Sequence, residues 1–142
     1  MPRPPFKFSA TTRVGFSDTD AQGVVYYGRY MPYFDLARVE YHRALDQLRA
    51  EPQDREFVMR ALTVEYHAPA RFDDEIEVDV RIARIGTSSV AYEFAAYLES
   101  ETLAVTATQT LVLVDLATRK PSPVPDWWRE QVKAFEGNDV GA

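Results

Sequence analysis

Residues 6–16 alternate: Phe6, Phe8, Ala10, Thr12, Val14 and Phe16 fall on one side, Lys7, Ser9, Thr11 and Arg13 on the other. A period of two with one polar side predicts a half-buried strand. From Tyr30 the period lengthens, and Tyr30, Tyr33, Phe34, Ala37, Tyr41, Ala44, Leu45 and Leu48 form one helical stripe, with Asp35, Arg38, Arg43 and Gln47 mostly off it. Pro32 is tolerated only in a first turn, which pins the helix start to residues 29–31. A run of about 20 residues, closed by Glu51-Pro52-Gln53-Asp54, makes a helix of roughly 30 Å.

Four further strands follow. The first runs from about Phe57 to Tyr66, before Pro69, and the second sets Ile76, Val78, Val80 and Ile82 against Glu75, Glu77, Asp79 and Arg81. Gly86-Thr87-Ser88 turns into Val90–Leu98, and Glu99-Ser100-Glu101 turns into Leu103–Asp115. Strands joined by such short turns pair antiparallel. Pro121, Pro123 and Pro125 lead to a short helix over 126–136, with Asp126 as its expected N-cap and Trp127, Trp128, Val132 and Phe135 to bury; from Gly137 onward the chain reads as frayed. The outline is α+β: a five-stranded antiparallel sheet, one long helix across a face, and a short C-terminal helix. The uncovered face still carries Tyr, Ala and Thr, which predicts a dimer or larger homo-oligomer.

At 142 residues the chain is read as one domain. It has no cysteine, which removes disulfides, thiolate metal sites and a Cys nucleophile. A net charge of −6 argues against nucleic acid as a partner. No apolar run reaches the roughly 18–20 residues of a membrane span, and Met1-Pro-Arg-Pro-Pro5 lacks a signal-type apolar stretch, so a soluble cytoplasmic protein is expected.

The chemistry concentrates between the first strand and the long helix, in Phe16-Ser-Asp-Thr-Asp-Ala-Gln-Gly-Val-Val-Tyr-Tyr-Gly-Arg-Tyr30. Asp18 and Asp20 stand there beside a helix N-terminus, whose positive half-dipole suits a reaction at a carbonyl. A calcium loop is excluded because Arg29 occupies the place of its closing acid. An Asp-x-Asp phosphatase loop needs a parallel strand, and this one has antiparallel neighbours. There is no Gly-x-Ser-x-Gly elbow, and His42 and His67 lack zinc-type spacing, so both histidines are assigned to packing. The residues alone leave two readings of the acids: a turn closed by Asx-type hydrogen bonds, or a reactive carboxylate.

This block, continued by Met31-Pro-Tyr-Phe-Asp-Leu-Ala-Arg38, closely resembles the signature of the 4-hydroxybenzoyl-CoA thioesterase-like hotdog proteins, including the acyl-CoA thioesterase branch associated with the Tol–Pal region. The resemblance extends through Val64–Glu77 and Arg84–Ser89 and covers about residues 6–120. It implies a hotdog fold, a five-stranded antiparallel sheet wrapped around one long helix, assembled as dimers and often as homotetramers. It implies hydrolysis of an acyl-CoA to free acid and CoA without metal or cofactor. By the same resemblance Asp20 is the catalytic carboxylate, as nucleophile or general base. Tyr27 offers its backbone N–H to the thioester carbonyl, and Gly23 permits close approach. Val24, Tyr26 and Gly28 line the acyl pocket together with a partner subunit. Asp18 is left to build the loop. Many members of the Tol–Pal-associated branch carry His where Tyr27 stands, so Tyr27 brings the site nearer the aromatic acyl-CoA branch. For the CoA phosphates the candidates are Arg84, the turn residues Thr87, Ser88 and Ser89, and Arg119 with Lys120; a plain hairpin turn and a solvated loop are the alternatives. The rival to catalysis is a non-catalytic acyl-CoA sensor on the same fold. A hotdog dehydratase would need a His–acid pair that is absent here.

Overall fold

A computed structural model describes residues 1–48, 54–137 and 140–141. Its elements are strand β1 (Phe8–Arg13), helix α1 (Tyr30–Ala44), strands β2 (Arg55–Tyr66), β3 (Glu75–Ile85), β4 (Ser89–Leu98) and β5 (Leu103–Asp115), and helix α2 (Asp126–Glu136). The strands form one antiparallel sheet in the order β1-β3-β4-β5-β2. This is the hotdog arrangement. No described helix is long and apolar enough to cross a membrane.

The alternation in β3 sets the layers. Ile76, Val78, Val80 and Ile82 are fully buried, and on β4 their pairing partners Ala96, Phe94 and Tyr92 continue the same face. Against it α1 lays Tyr30, Tyr33, Phe34, Ala37 and Tyr41, all buried, with the Phe34 and Phe94 rings 5.1 Å apart. The apolar stripe is therefore what docks the helix, through ordinary burial of apolar surface.

The helix is shorter than its stripe predicts. It stops at Ala44 because Asp46 adopts φ 58°, the Asp46 N–H bonds to Arg43 O (3.1 Å) and the Gln47 N–H bonds to His42 O (2.8 Å). That is a Schellman closure with an aspartate in the left-handed position usually held by glycine. Leu45 then packs outside the helix and Leu48 is exposed, while Gln47 turns inward. The predicted stop at Glu51–Gln53 lies outside the described residues. At α2 the N-cap is Pro125, and Asp126 is the first helical residue, where its charge still favours the N-terminus.

The C-terminal segment is tied down rather than frayed. The Glu136 side chain is fully buried, and its Oε2 accepts from the Tyr41 O–H (2.6 Å) and the Ile82 N–H (3.1 Å). Gly141 pairs with Ala83 and Ile85 (2.8 and 3.1 Å). These contacts continue along β3 beyond Val80, the partner of Phe8, where β1 begins. On the opposite face of the sheet the N-terminal segment crosses β3 and β4: the Arg3 N–H donates to Asp79 Oδ2 (3.0 Å), and its guanidinium lies 3.6 Å over the Tyr97 ring.

Two groups, the half-buried His42 and the fully buried Asp79, make stability depend on pH in opposite senses. Burial, reinforced by the charge of Arg38, lowers His42 to about 4 against the bond to Gln47. Between about pH 6.5 and 4 the unfolded chain thus binds a proton that the folded chain refuses, and stability falls as pH falls. Burial pushes Asp79 up to about 6, helped by the Glu77 charge and opposed by the Arg3 amide. Between about pH 4 and 6 the folded chain holds the extra proton, so stability falls as pH rises. Asp79→Asn keeps an acceptor for Arg3 and removes the second effect. The variant is expected to gain about 2 kcal/mol over the parent above about pH 6, and to lose stability more steeply as pH then drops. Denaturant titrations across this range test the idea; equal slopes for the two proteins would show that Asp79 titrates as in the unfolded chain.

Candidate active site

Past β1, buried Val14 donates to Asp74 O (2.9 Å), and a single 3₁₀ turn over Phe16–Asp18 redirects the chain toward α1. The Asp18 carboxylate fixes that direction. Its Oδ2 accepts from the Gly15 N–H (3.0 Å) and the Tyr33 O–H (2.7 Å), and its Oδ1 from Arg29 Nε and Nη2 (3.2 and 3.0 Å). Burial works against its charge, but the bonds from Tyr33, Gly15 and Arg29 prevail and hold the carboxyl below its ordinary range. Asp18 is thus a tether between the loop and the first turns of α1.

Residues 19–25 form a small hairpin. Thr19 bridges Val25, the Asp20 N–H bonds to Val24 O (2.9 Å), and the Gly23 N–H bonds to Asp20 O (3.0 Å) with Gly23 at φ 79°. A turn followed by a left-handed glycine is the usual three-residue hairpin loop. Within the chain Gly23 is required by this φ, since a Cβ there would meet open space rather than a neighbouring protein atom. Gly23→Ala is accordingly expected to cost about 1–2 kcal/mol from backbone strain alone, read as a shift in the denaturant midpoint. Asp20 accepts the Gln22 N–H on Oδ1 (2.8 Å), and its other oxygen meets no donor among the described residues.

The returning strand leads into the helix. The Val25 N–H bonds to Ala70 O (2.8 Å), the Tyr26 N–H bonds to Asp18 O (2.9 Å), and a 3₁₀ turn over Tyr27–Arg29 runs straight into α1. Tyr27 is the first residue of that turn, where an N–H has no acceptor within the helix and sits at the positive end of the dipole. Tyr26 and Tyr27 stack their exposed rings at 4.2 Å and join hydroxyls at 2.9 Å. The hydrogen bond and charge of Tyr27 raise the Tyr26 phenol above its usual range, with Asp20 as a further cause. Val24 bridges Arg71, and a Cβ on Gly28 would touch the Tyr26 ring at 3.4 Å.

Beside Tyr27 lies a recess of about 280 Å³ lined by Val25, Tyr27, Tyr30, Tyr66, His67 and Pro69. The Tyr66 O–H donates to the Tyr27 carbonyl (2.9 Å), so the end of β2 steadies the helix entry. His67 Nε2 lies 2.9 Å from Thr106 Oγ1. Sequence reasoning passed over Tyr66 and gave His67 to packing; the only signal was the end of a strand shortly before Pro69.

The remaining candidates lie elsewhere. The Gly86–Ser89 turn stands at the far end of β3, roughly 35 Å from the Asp20 end by strand rise. Its Gly86 and Thr87 carbonyls accept from Arg129 Nη2 (2.6 and 2.8 Å), Ser88 O takes the Leu113 N–H, and a Cβ on Gly86 would come within 2.6 Å of Ser89 Oγ. Arg119 and Lys120 share that end, in a loop that Asp115 closes through Ala117 and Thr118, with Arg119 at φ 62°. Arg84 is exposed nearby. One chain therefore unites Asp20, Gly23, Val24, Tyr26, Tyr27 and Gly28, and groups Arg84, Thr87, Ser88, Ser89, Arg119 and Lys120 at the opposite end.

The family model described as Thioesterase-like superfamily matches residues 14–132, which include the hairpin, α1, strands β2 to β5 and most of α2. The chain belongs to this superfamily. Within the superfamily it is 34% identical over 130 residues to an "Acyl-CoA thioesterase YbgC" of Haemophilus influenzae, covering 89% of this chain and 92% of that one. It is 35% identical over 120 residues to an "Acyl-CoA thioester hydrolase YbgC" of Escherichia coli, covering 83% and 90%. Among solved thioesterase structures, one from Thermus thermophilus complexed with coenzyme A and Zn superposes with a TM-score of 0.82 at 29% identity, covering 96% of this chain and 99% of that one.

Proposed function

We propose that the protein hydrolyses the thioester of an acyl-CoA to the free acid and CoA, with Asp20 as nucleophile or general base. The observation that carries this is the pairing of a carboxylate oxygen without a donor on the 19–25 hairpin with the open N–H of Tyr27 at the helix entry, both held by Asp18. The Tyr27 N–H and the helix dipole receive the carbonyl oxygen as it gains charge. Either Asp20 attacks the carbonyl carbon and water then hydrolyses the resulting mixed anhydride, which frees the acid and the carboxylate, or Asp20 takes a proton from a water that attacks directly. The CoA sulfur leaves as thiolate and is protonated. A thioester is already a reactive acyl donor, so one carboxylate and one polarising donor suffice.

The same reading includes a homodimer built on β2. That strand offers 12 residues at the edge of the sheet, paired on the β5 side, with Met59, Leu62 and Tyr66 between 42% and 50% exposed. Such an edge invites a second copy in antiparallel pairing. The pairing turns the partner end for end, so that its Arg84, Thr87–Ser89 and Arg119–Lys120 lie toward this chain's Asp20, on the side where CoA phosphates need cations and N–H groups.

Release of free CoA from a panel of short, long and aromatic acyl-CoAs tests the activity, and solution mass at micromolar concentration tests the dimer. Tight acyl-CoA binding without turnover of any substrate would replace the enzyme with a sensor.

A further inference from the structure

A second recess lies between the later half of α1, the start of β2 and α2. It has a volume of about 170 Å³, and its lining includes Arg38, His42, Phe57, Tyr92, Leu111 and Trp128. The walls are aromatic: Trp128 stacks on His42 at 5.4 Å and Phe57 lies 5.3 Å from Trp128. An engineered cavity of about 150 Å³ holds benzene, so this volume suits a short acyl tail or a single ring.

Its polar groups are unequally committed. His42 is engaged at both ring nitrogens, at 2.7 Å from Gln47 Oε1 and 2.7 Å from the Tyr92 hydroxyl. Arg38 is different. Its side chain is only 19% exposed, and a single nitrogen, Nη1, carries both its contacts, to Gln109 Oε1 (2.5 Å) and Asp35 Oδ1 (3.1 Å). Its Nε and Nη2 meet no acceptor among the described residues. A largely buried guanidinium with one whole edge of donors uncommitted matches a carboxylate, which binds such an edge through two parallel hydrogen bonds.

The position of the recess says which chain's substrate it serves. Within one chain Tyr27 and His42 are separated by roughly 20 Å of helix, too far for a short acyl group. Phe57 lies near the start of β2 and Tyr66, bonded to Tyr27, at its end. Antiparallel pairing of two β2 strands therefore sets the recess of one subunit against the Tyr27 entry of the other. We infer that the Arg38 recess is a subsite supplied in trans, taking the far end of the acyl group and selecting thioesters whose acyl chain ends in a carboxylate. The inference rests on the thioesterase reading and on the β2 dimer.

The test compares glutaryl-CoA with hexanoyl-CoA. The parent is expected to prefer glutaryl-CoA in kcat/KM, and Arg38→Met to reduce that preference at least tenfold. An unchanged preference in a folded variant overturns the subsite, while loss of turnover on every acyl-CoA by the parent overturns the hydrolase reading instead. Should Arg38→Met fail to fold, the parent serves: glutarate is expected to change the fluorescence of Trp128 saturably and glutaramide not to, and equal responses refute the subsite. Mixed dimers decide the trans arrangement. Subunits carrying Asp20→Asn and Arg38→Met separately, once combined, place both lesions in one site and leave the other intact. Glutaryl-CoA hydrolysis is then restored to about half, with the parent's preference. A recess acting in its own chain gives no such restoration.

Discussion

Asparagine at position 20 is expected to lower kcat for thioester hydrolysis by about 10²–10⁴-fold, the range over which a positioned acid–base group contributes. The fold should not register the change. Among the described residues the Asp20 side chain makes one hydrogen bond, from the Gln22 N–H, and an amide oxygen of the same shape accepts it equally well. What disappears is the carboxylate oxygen that the proposed mechanism uses to attack or to deprotonate water. The expected signature is a fall in kcat with an unaltered thermal midpoint, and with KM moved far less than kcat. An Asp20→Asn protein with the parent's turnover would remove this residue from the chemistry.

The same substitution two residues earlier has the opposite signature. Asp18→Asn is expected to destabilise the protein by about 2–3 kcal/mol, a fall of roughly 10 °C in thermal midpoint for a chain of this size. Four donors from Gly15, Arg29 and Tyr33 converge on the two oxygens. An asparagine can offer only one oxygen, so its NH₂ group must face either the guanidinium or the Tyr33 hydroxyl and the Gly15 amide. The loss stays this small because Arg29 is about half exposed, and solvent repairs part of it. Activity falls as well, because the tether aligns the hairpin with the helix entry. Thermal melts and steady-state kinetics on both variants separate a residue that reacts from one that holds; an Asp18→Asn protein as stable as the parent would contradict the tether.

Much of this was readable from the chain because two periods are clean. The alternation of Ile76, Val78, Val80 and Ile82 is matched by their complete burial, and Leu103–Asp115 is the fifth strand as predicted. The errors have local causes. The α1 stripe ran on through Leu45 and Leu48, yet the helix closes at an aspartate in a glycine conformation, a signal that composition does not carry. Gly23 could be recognised as necessary, but its left-handed φ is visible only in the backbone geometry. In the site, Asp18 and Asp20 are two residues apart and look alike. What divides them is the convergence of Arg29 and Tyr33, 11 and 15 residues later, which no short-range pattern displays. The Arg38 recess was invisible for the same reason, since Arg38, Tyr92 and Trp128 come from three separate elements.

The way the C-terminal segment lies along β3 bears on how many copies can join. Glu136 and Gly141 occupy the backbone groups of Ile82, Ala83 and Ile85 past the short β1, so that margin of the sheet offers only six residues of open strand. The other margin, β2, offers 12. A protein with two receptive margins polymerises head to tail, whereas one with a single such margin satisfies it with one copy of itself and stops. By this logic Glu136 and Gly141, remote from Asp20, act as a terminator that would hold the association proposed for β2 to a closed pair. Their removal is the change that would convert the protein toward open-ended association.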